Sequence, residues 1–284
     1  MFNLFSNLLN DSGEFPQRIR KRHEIFWSDP GAENVRNMLM NEGLPLSSWQ
    51  DRPHWQRKLS NKFNARVFAK SMGCEVADLY WKGRDLKSID FDEIPSQYVI
   101  RPTIGHGSKD VYIMENGFNH FDQKQYTIAE ILENLQAELD RVPILEFLFE
   151  EFVQTEDGRY AIPNDFKFLC FNGEVASVVV IDRISPKVGF SYFYDEHWNK
   201  MERLHTLYPG KDEPQKPRCF EEMLEQAKRL SKAYGIFVRI DFFATNKGPV
   251  FCEFTPTPAL GKGFTPFGKK LLLKYWDRYC PGMI

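Results

Sequence analysis

The spacing of apolar residues along the chain predicts three well-defined helices. Residues 60–73, SNKFNARVFAKSMG, and 220–235, FEEMLEQAKRLSKAYG, each contain a helical segment that stops at a glycine. Ser60 or Asn61 is the expected cap of the first of these helices. Residues 127–140, TIAEILENLQAELD, predict a capped amphipathic helix whose apolar side chains share one face. These apolar positions are Ile128, Ile131, Leu132, Leu135 and Leu139.

Shorter apolar runs predict strands, either singly or as hairpins. They are 75–81 (EVADLYW), 94–114, 144–153 (ILEFLFEEFV), 165–184 and 237–258. The run 165–184 contains Asn172-Gly173, which is the best short hairpin signal in the chain. Hairpins and helices follow one another without a regular strand–helix–strand alternation. This order favours an α+β fold over a doubly wound parallel sheet.

Composition and charge limit the classes of protein to consider. The 284 residues suffice for one large domain or two to three small lobes with a substantial core. The net charge of −2 gives no electrostatic reason to expect a nucleic-acid partner. The cysteines lack metal-binding spacing, which predicts reduced thiols in a cytoplasmic protein. No apolar run is long enough for membrane insertion, and the amino terminus is not a convincing secretory signal.

Two carboxylates interrupt the apolar strands of the last predicted hairpin. Asp241 shares a strand face with Arg239, and Glu253 shares one with Thr255, whereas Cys252 is expected on the opposite, core face. Antiparallel pairing would bring the two acids together near Arg239, where their mutual repulsion requires a cation between them. Mg²⁺ prefers carboxylate and phosphate oxygens. The sequence therefore favours a magnesium site here over a solvent-facing sheet surface.

Three other motifs each allow two interpretations. The loop RPTIGHGSKDV, which begins at Arg101, offers backbone N–H groups and a guanidinium to an anion, although an ordinary hairpin loop explains it better when it is taken alone. The segment 148–158, LFEEFVQTEDG, is either an adenine-binding connector or, more simply, a solvated surface turn. Asp165 and Lys167 share a strand face, so they form either a surface ion pair or an oriented site lysine.

The order of these motifs resembles the ATP-grasp superfamily. YVIRPTIGHGS, LFEEFV, DFKFLCFNGEV, FVRIDFF and FCEFTPTPALG occur in this order. DFKFLCFNGE and RIDFF…EFTPTPALG are most similar to the TupA-like branch, which is associated with cell-surface polysaccharide and teichuronopeptide synthesis. The resemblance spans roughly residues 55–270 and implies two α+β lobes with antiparallel sheets that hold ATP between them.

The same resemblance implies a division of the chain. Residues 1–57 would form an N-terminal helical or irregular segment, and residues 58–284 would form the ATP-grasp region. Within that region, about 95–150 would be the small nucleotide-binding lobe, and 151–284 would be the C-terminal metal and catalytic lobe.

The resemblance also implies roles for individual residues. The phosphates of ATP would lie among Arg66 (with Lys62 as its rival), Arg101, Gly105, His106, Gly107, Ser108 and Lys167. The adenine would contact Glu150, Glu151 and Val153, and the ribose would contact Glu156 or Asp157. The Mg²⁺ ligands would be Asp241, Glu253 and Thr255, and the catalytic cations would be Arg239, Lys167 and Arg101. Arg101 replaces the family's usual lysine, and Thr255 replaces the asparagine of many relatives, which changes shape at one position and metal affinity at the other.

The implied reaction is an ADP-forming ligation of a carboxylate to an amine through an acyl phosphate. The substrates would be small molecules, namely a sugar, amino acid or peptide used in cell-surface polysaccharide or secondary-metabolite synthesis. Arg183 is a candidate for binding the substrate carboxylate, and Tyr192, Tyr194 and Trp198 either line the acceptor cleft or simply pack. A kinase acting on a hydroxyl and a non-catalytic nucleotide-binding protein are the alternatives. The oligomeric state is left open.

Overall fold

The computed structural model describes residues 12–105, 107–185, 188–210 and 213–283. The strands of these residues are β1 Glu75–Val76, β2 Leu79–Gly83, β3 Gln97–Pro102, β4 Tyr112–Glu115, β5 Phe118–Asn119, β6 Lys124–Gln125, β7 Phe147–Glu151, β8 Asp165–Phe171, β9 Glu174–Arg183, β10 Gly189–Tyr194, β11 Phe237–Thr245 and β12 Gly248–Thr255. The α-helices are α1 Glu14–Trp27, α2 Ala32–Asn37, α3 Leu46–Trp49, α4 Lys62–Ser71, α5 Ile128–Arg141, α6 Phe220–Tyr234 and α7 Pro266–Tyr279.

The strands form two six-stranded sheets, each the basis of one lobe. The large sheet has the order β1-β12-β11-β8-β9-β10, and the small sheet has the order β2-β7-β3-β4-β5-β6. Within the described residues, the neighbouring strands pair antiparallel, apart from the two-residue parallel pair of β1 with β12. The predicted α+β fold with antiparallel sheets is confirmed.

Helices pack on both faces of the large sheet, but one face is apolar and the other is partly charged. On one face, α4 and α6 pack against apolar residues such as Phe168 and Ile240 to form the main core. On the other face, α1 and α7 cover only the end that holds Leu169 and Phe171. The remaining part of this second face carries charged side chains, because strand alternation places Asp165 and Lys167 in line with Leu169.

The small lobe has its own core between the sheet and α5. Thr127 begins this helix with a capping box, and Ile131, Leu135 and Leu139 are buried against the sheet. The predicted amphipathic helix is confirmed, but its first apolar residue does not share the buried face. Ile128, the first residue of the helix, is 47% exposed.

Several local predictions are confirmed by backbone geometry. Asn61 caps α4 by accepting a hydrogen bond from the amide of Phe63, and Ser60 is not the cap. Asn172 and Gly173 have φ values of 50° and 98°, which is the pair of positive φ angles that a tight hairpin turn requires. Gly235 ends α6 with a φ of 85°.

One predicted strand is wrong. The run EVADLYW contains two strands, β1 and β2, which belong to different sheets. The chain passes from the large lobe to the small lobe between them, at Ala77 and Asp78. An apolar pattern cannot show this change, because no glycine or proline separates the two strands in the sequence. No helix in the described part of the chain is both long enough and apolar enough to span a bilayer.

Candidate functional site

The two carboxylates that interrupt the apolar strands lie directly opposite each other. Asp241 of β11 pairs with Glu253 of β12 in the antiparallel ladder. The guanidinium of Arg239 lies between them and donates to Asp241 at 2.7 Å and to Glu253 at 3.0 Å. The hydroxyl of Thr255 donates to Glu253 at 3.3 Å. The sequence therefore predicted the juxtaposition correctly, and in this structure the positive group between the acids is Arg239.

A β-bulge lies beside this pair. The ladder passes from Asp241↔Glu253 to Phe242↔Phe251, so Cys252 is an extra residue without a partner on β11. The expectation that Cys252 faces the core is wrong, because the inserted residue breaks the alternation on which that expectation rests. Its carbonyl accepts a hydrogen bond from Arg101 at 3.3 Å. Burial raises the pKa of the Cys252 thiol to about 12, so the thiol is protonated at neutral pH.

The charged cluster continues onto the next two strands. The ammonium of Lys167 lies 2.6 Å from Asp241 and 3.2 Å from Asp165. The same carboxylate oxygen of Asp165 accepts a hydrogen bond from Arg183 at 2.8 Å. Burial would lower the pKa of Lys167, but Asp165 and Asp241 raise it above its usual value. Alternating charges thus cross the sheet from β9 to β12, and Lys167 remains protonated.

A second group of ion pairs joins the two lobes. Glu150 of the small sheet, which is 2% exposed, forms ion pairs with Arg101 and with Arg66, the latter at 3.2 Å. Arg66 also donates to the carbonyl of Ala77. The Glu150 backbone lies in the ladders with Leu79 of β2 and Val99 of β3. The structure therefore places the Glu150 side chain among arginines.

Lys62, which the sequence left as a rival to Arg66, lies near the paired acids. Its ammonium donates to the carbonyl of Gly105 at 3.4 Å, and its backbone amide donates to Thr103 at 2.8 Å. Burial lowers the pKa of Lys62, and the nearby carboxylate of Glu253 opposes that shift. Glu253 in turn has a lowered pKa because Arg239 and Lys62 outweigh its own burial. Lys62 and Glu253 are thus electrostatic neighbours across the site.

The Gly-rich loop follows β3 and lies beside Lys62. Gly105 and Gly107 have φ values of 131° and 70°, and Ser108 also has a positive φ, of 57°. Such backbone suits close approach to a ligand because no side chain blocks the amides of the two glycines. His106, another residue assigned to this loop from the resemblance, lies outside the described residues.

The connector between the lobes holds the remaining nucleotide candidates. Glu151 donates its amide to the carbonyl of Asp78 at 2.8 Å, and Val153 is buried. Glu156 accepts from the amide of Arg218 at 2.9 Å, and Asp157 pairs with Arg159 at 2.6 Å. These contacts hold Glu156 and Asp157 in their own surface region, and none of them reaches the charged cluster around Asp241.

The aromatic residues considered for an acceptor cleft are occupied by packing. The rings of Tyr194 and Trp198 stack at 4.1 Å with an angle of 3°, and Trp198 also meets Phe220 of α6 edge-on. Tyr192 is buried in the same core. This favours the simpler interpretation of the segment, which is structural packing.

Sequence reasoning missed a set of contacts between the two lobes, at the points where the chain passes from one lobe to the other. Lys247, at the tip of the β11–β12 hairpin, lies 2.6 Å from Glu151 and 3.7 Å from Asp78. Asp78 also donates its amide to the Glu151 carboxylate at 3.2 Å. No sequence signal marks these residues, because each is an ordinary charged residue near a turn.

The donor set suits a hard cation that also has ligands of its own. Asp241 and Glu253 offer carboxylate oxygens, and Thr255 offers a hydroxyl next to them. No group of three or more His, Cys, Asp or Glu side chains is placed to hold a metal ion in the part of the chain that the structure describes. Mg²⁺ is commonly held by one or two carboxylates together with waters and nucleotide phosphates. The residues therefore fit a magnesium ion whose other ligands are waters and nucleotide phosphates.

Solved structures identify the class of fold. A D-alanine–D-alanine ligase from Bacillus anthracis superposes with a TM-score of 0.52 at 15% identity, covering 78% of this chain and 67% of that one. The VanG D-Ala:D-Ser ligase from Enterococcus faecalis gives a TM-score of 0.50 at 16% identity, with 79% and 63% covered. The ATP-grasp ligase PsnB, complexed with a minimal precursor, gives 0.44 at 13% identity, with 78% and 62% covered. The fold is the ATP-grasp fold, and the chain spans less than two thirds of the length of VanG and PsnB.

The family is narrower than the fold. The model of the TupA-like ATP-grasp family matches residues 42–273, which is most of the chain. The chain belongs to this family, as its motifs had indicated. No curated protein matches its sequence.

Proposed function

We propose that the protein is an ATP-dependent ligase that joins a carboxylate to an amine and releases ADP and phosphate. The observation that carries this proposal is the set of cations around the paired carboxylates. Arg239 contacts Glu253 and Lys167 contacts Asp241. From the other lobe, Arg101 donates to β12 at the carbonyl of Cys252. Phosphoryl transfer needs positioning and compensation of charge more than covalent help. Three cations held at fixed positions around a carboxylate pair, within an ATP-grasp fold, meet that need.

The nucleotide would lie between the two sheets. Its phosphates would meet Arg101, Lys62 or Arg66, and the backbone of the loop at residues 105–108. The connector at Glu151 and Val153 would face the adenine, with Glu156 or Asp157 near the ribose. Asp241, Glu253 and Thr255 would hold Mg²⁺, which when bound neutralises charge on the phosphate oxygens. Glu150 would act through its two arginines, because its carboxylate is already shared by them.

The chemistry would proceed in two steps on the substrates. A carboxylate oxygen attacks the γ-phosphorus of ATP, which forms an acyl phosphate and releases ADP. The amine nitrogen then attacks the acyl carbon, so that the amide bond forms, the C–O bond to phosphate breaks, and the amine loses a proton. Arg239 and Lys167 would stabilise the charge on the transferring phosphoryl group. Arg183 would orient the carboxylate, which must share or displace Asp165.

The substrates would be small molecules of the sugar, amino acid or peptide classes. The TupA-like family is associated with cell-surface polysaccharide and teichuronopeptide synthesis, which supports a cytoplasmic enzyme that supplies such material or a secondary metabolite. A kinase and a non-catalytic nucleotide-binding protein predict different products, so one assay separates them from a ligase.

The test is a screen of carboxylates and amines that measures both ADP release and product mass. We expect sustained ADP release only when both substrates are present, with a product whose mass equals their condensation. This activity should be lost in Glu253→Ala. The matched control is Glu225→Ala, which removes an exposed carboxylate of α6 in the same lobe. A phosphorylated hydroxyl product would indicate the kinase. Nucleotide binding without ADP in any pairing would indicate the binding protein. Full turnover by Glu253→Ala would contradict the metal assignment.

A further inference from the structure

The N-terminal helix sends a buried arginine to the end of the site strands. Arg22 of α1 is 4% exposed, and its guanidinium donates to the carbonyl of Phe237 at 2.5 Å and to that of Pro256 at 3.3 Å. It also lies 3.4 Å from the hydroxyl of Tyr234. Phe237 begins β11, and Pro256 directly follows β12. One guanidinium therefore bridges the two strands that carry Arg239, Asp241, Glu253 and Thr255.

The strand ladder itself explains why a donor is needed at this place. The β11–β12 ladder runs from Thr245↔Gly248 to Arg239↔Thr255 and stops there. Proline has no backbone N–H, so Pro256 cannot continue the ladder. Beyond this point, Phe237 pairs with Phe171 of β8 on its other side. Arg22 supplies the cross-link between the two strands where the backbone can no longer do so.

Burying this guanidinium is a costly way to attach a helix. Arg57, which is also buried, donates to the backbone carbonyl of Arg22 at 3.3 Å, and burial together with the positive charge of Arg22 lowers the Arg57 pKa. Among the described residues, no carboxylate lies within ion-pair distance of Arg22 or Arg57. Burial lowers the pKa of Arg22 and lowers that of Arg57 to about 10. A buried charge without a counter-ion is destabilising, so it indicates a role that apolar side chains could not perform.

Other residues of α1 already anchor the helix without this cost. Phe15 and Ile19 are buried in the apolar cluster that the helix shares with α7. On the surface, Arg18 forms an ion pair with Asp277 of α7 at 2.6 Å. Attachment of the helix therefore does not explain Arg22.

A second contact of α1 reaches the same stretch of chain. Gly261 has a φ of 76°, and a Cβ built at this position would lie 2.6 Å from the Cα of Pro16. The turn 258–261 therefore packs against the backbone of α1, only a few residues after Thr255. Arg22 and Pro16 together fix the chain on the C-terminal side of the proposed metal ligands.

We propose that Arg22 is a positioning residue for the metal end of the nucleotide site. It sets the separation of β11 and β12 at the Arg239↔Thr255 pair, and hence the spacing of the oxygens and cations that those strands present. Arg22 lies outside the matched range 42–273, so the family match does not identify it. This inference rests on the proposed function, because the metal end has a role only if Mg²⁺ and ATP bind there.

The test compares three variants of the full-length chain. Arg22→Met keeps an unbranched apolar stem and removes the donors, Arg22→Lys keeps a shorter cationic donor, and Arg18→Met is the matched control in the same helix. We expect Arg22→Met to weaken binding of a non-hydrolysable ATP analogue at least tenfold in Mg²⁺ and less than threefold in EDTA. We expect Arg22→Lys to recover part of this loss and Arg18→Met to behave like the wild type.

Hydrogen exchange gives a readout that needs no nucleotide. In Arg22→Met, exchange should accelerate at least tenfold for the amides of 239–241 and 253–255, and much less for those of 243–245 and 248–250. If Arg22→Met does not fold, Arg22→Gln, which keeps a neutral donor, takes its place in both measurements. Wild-type Mg²⁺-dependent affinity and wild-type exchange in a folded Arg22 variant would overturn the inference. Failure of the wild type to bind the analogue would instead overturn the proposed function.

Discussion

On β8, Phe166 and Phe168 point into the main apolar core, whereas the alternate residues Asp165 and Lys167 point into the charged cluster. The same alternation occurs on β11, where Ile240 and Phe242 are core residues and Arg239 and Asp241 belong to the cluster. Each strand therefore carries two unrelated sets of side chains on one backbone. The apolar face fixes the register, and the register fixes which charges meet. Stability and chemistry should consequently be separable by substituting neighbouring residues.

The strongest test of this comparison substitutes one residue from each face. Asp241→Ala should cost about 3–5 kcal/mol of unfolding free energy, because it removes the buried carboxylate that both Arg239 and Lys167 contact and leaves each cation with a single carboxylate partner. Phe168→Ala should cost a similar amount, about 3–5 kcal/mol, through the cavity that it leaves in the core. Denaturant unfolding and turnover should be measured on both variants at a temperature where each is folded.

The two variants should differ in function although they match in stability. Folded Phe168→Ala should retain most of the wild-type turnover per molecule, while Asp241→Ala should lose at least about a thousandfold, because metal binding and the placement of both cations are lost. Comparable turnover in the two folded variants would show that the faces are not independent.

A smaller effect is expected at the next position on the charged face. Asp165→Asn removes the negative charge that Lys167 and Arg183 share, but it keeps the size of the side chain. We expect kcat to fall by about tenfold to a hundredfold with a smaller change in KM for ATP, because Lys167 still contacts Asp241 but is held less firmly. Steady-state kinetics would check this, with Phe166→Leu, on the apolar face, as the control. An unchanged kcat in Asp165→Asn would show that Asp241 alone orients the lysine.

The smallest effect concerns acid stability. Burial opposes ionisation of Asp165, but Lys167 and Arg183 lower its pKa below the usual value of 3.8. A carboxyl whose folded-state pKa is lowered stabilises the fold above its unfolded pKa, and this contribution is lost as the pH falls through the folded pKa. Urea unfolding below about pH 4 should therefore show a steeper loss of stability in the wild type than in Asp165→Asn. Identical acid profiles would mean that Asp165 does not contribute.

Sequence pattern was sufficient for the parts of the site that lie on paired strands. Alternation predicted that Arg239 shares a face with Asp241 and that Glu253 lies opposite, and the register confirms both. It could not predict that Glu150 joins Arg66 to Arg101, because Arg101 and Glu150 are 49 positions apart and meet only through the folding of the small sheet. Local patterns specify which face a residue occupies, whereas contacts between distant elements depend on topology.

The fold shows the same difference: local elements were predictable from the sequence, whereas the assignment of strands to sheets was not. Turn chemistry identified the hairpin at Asn172-Gly173, and apolar spacing identified α5. The change of sheet between β1 and β2 was missed, since it leaves the apolar pattern unaltered. The position of Cys252 was also missed, because a single inserted residue shifts every alternation count that crosses it.

That inserted residue has a consequence for how the chain tolerates changes in length. Without Cys252, Phe251 would directly precede Glu253, and regular alternation would still direct Phe251 and Phe254 inward and Glu253 outward. A one-residue deletion at this point would therefore preserve the pattern of both faces. It would remove the out-of-register carbonyl that reaches Arg101 in the other lobe. Cys252 therefore links the two lobes through its backbone carbonyl, which is available because the strand is one residue longer here, and not through its thiol.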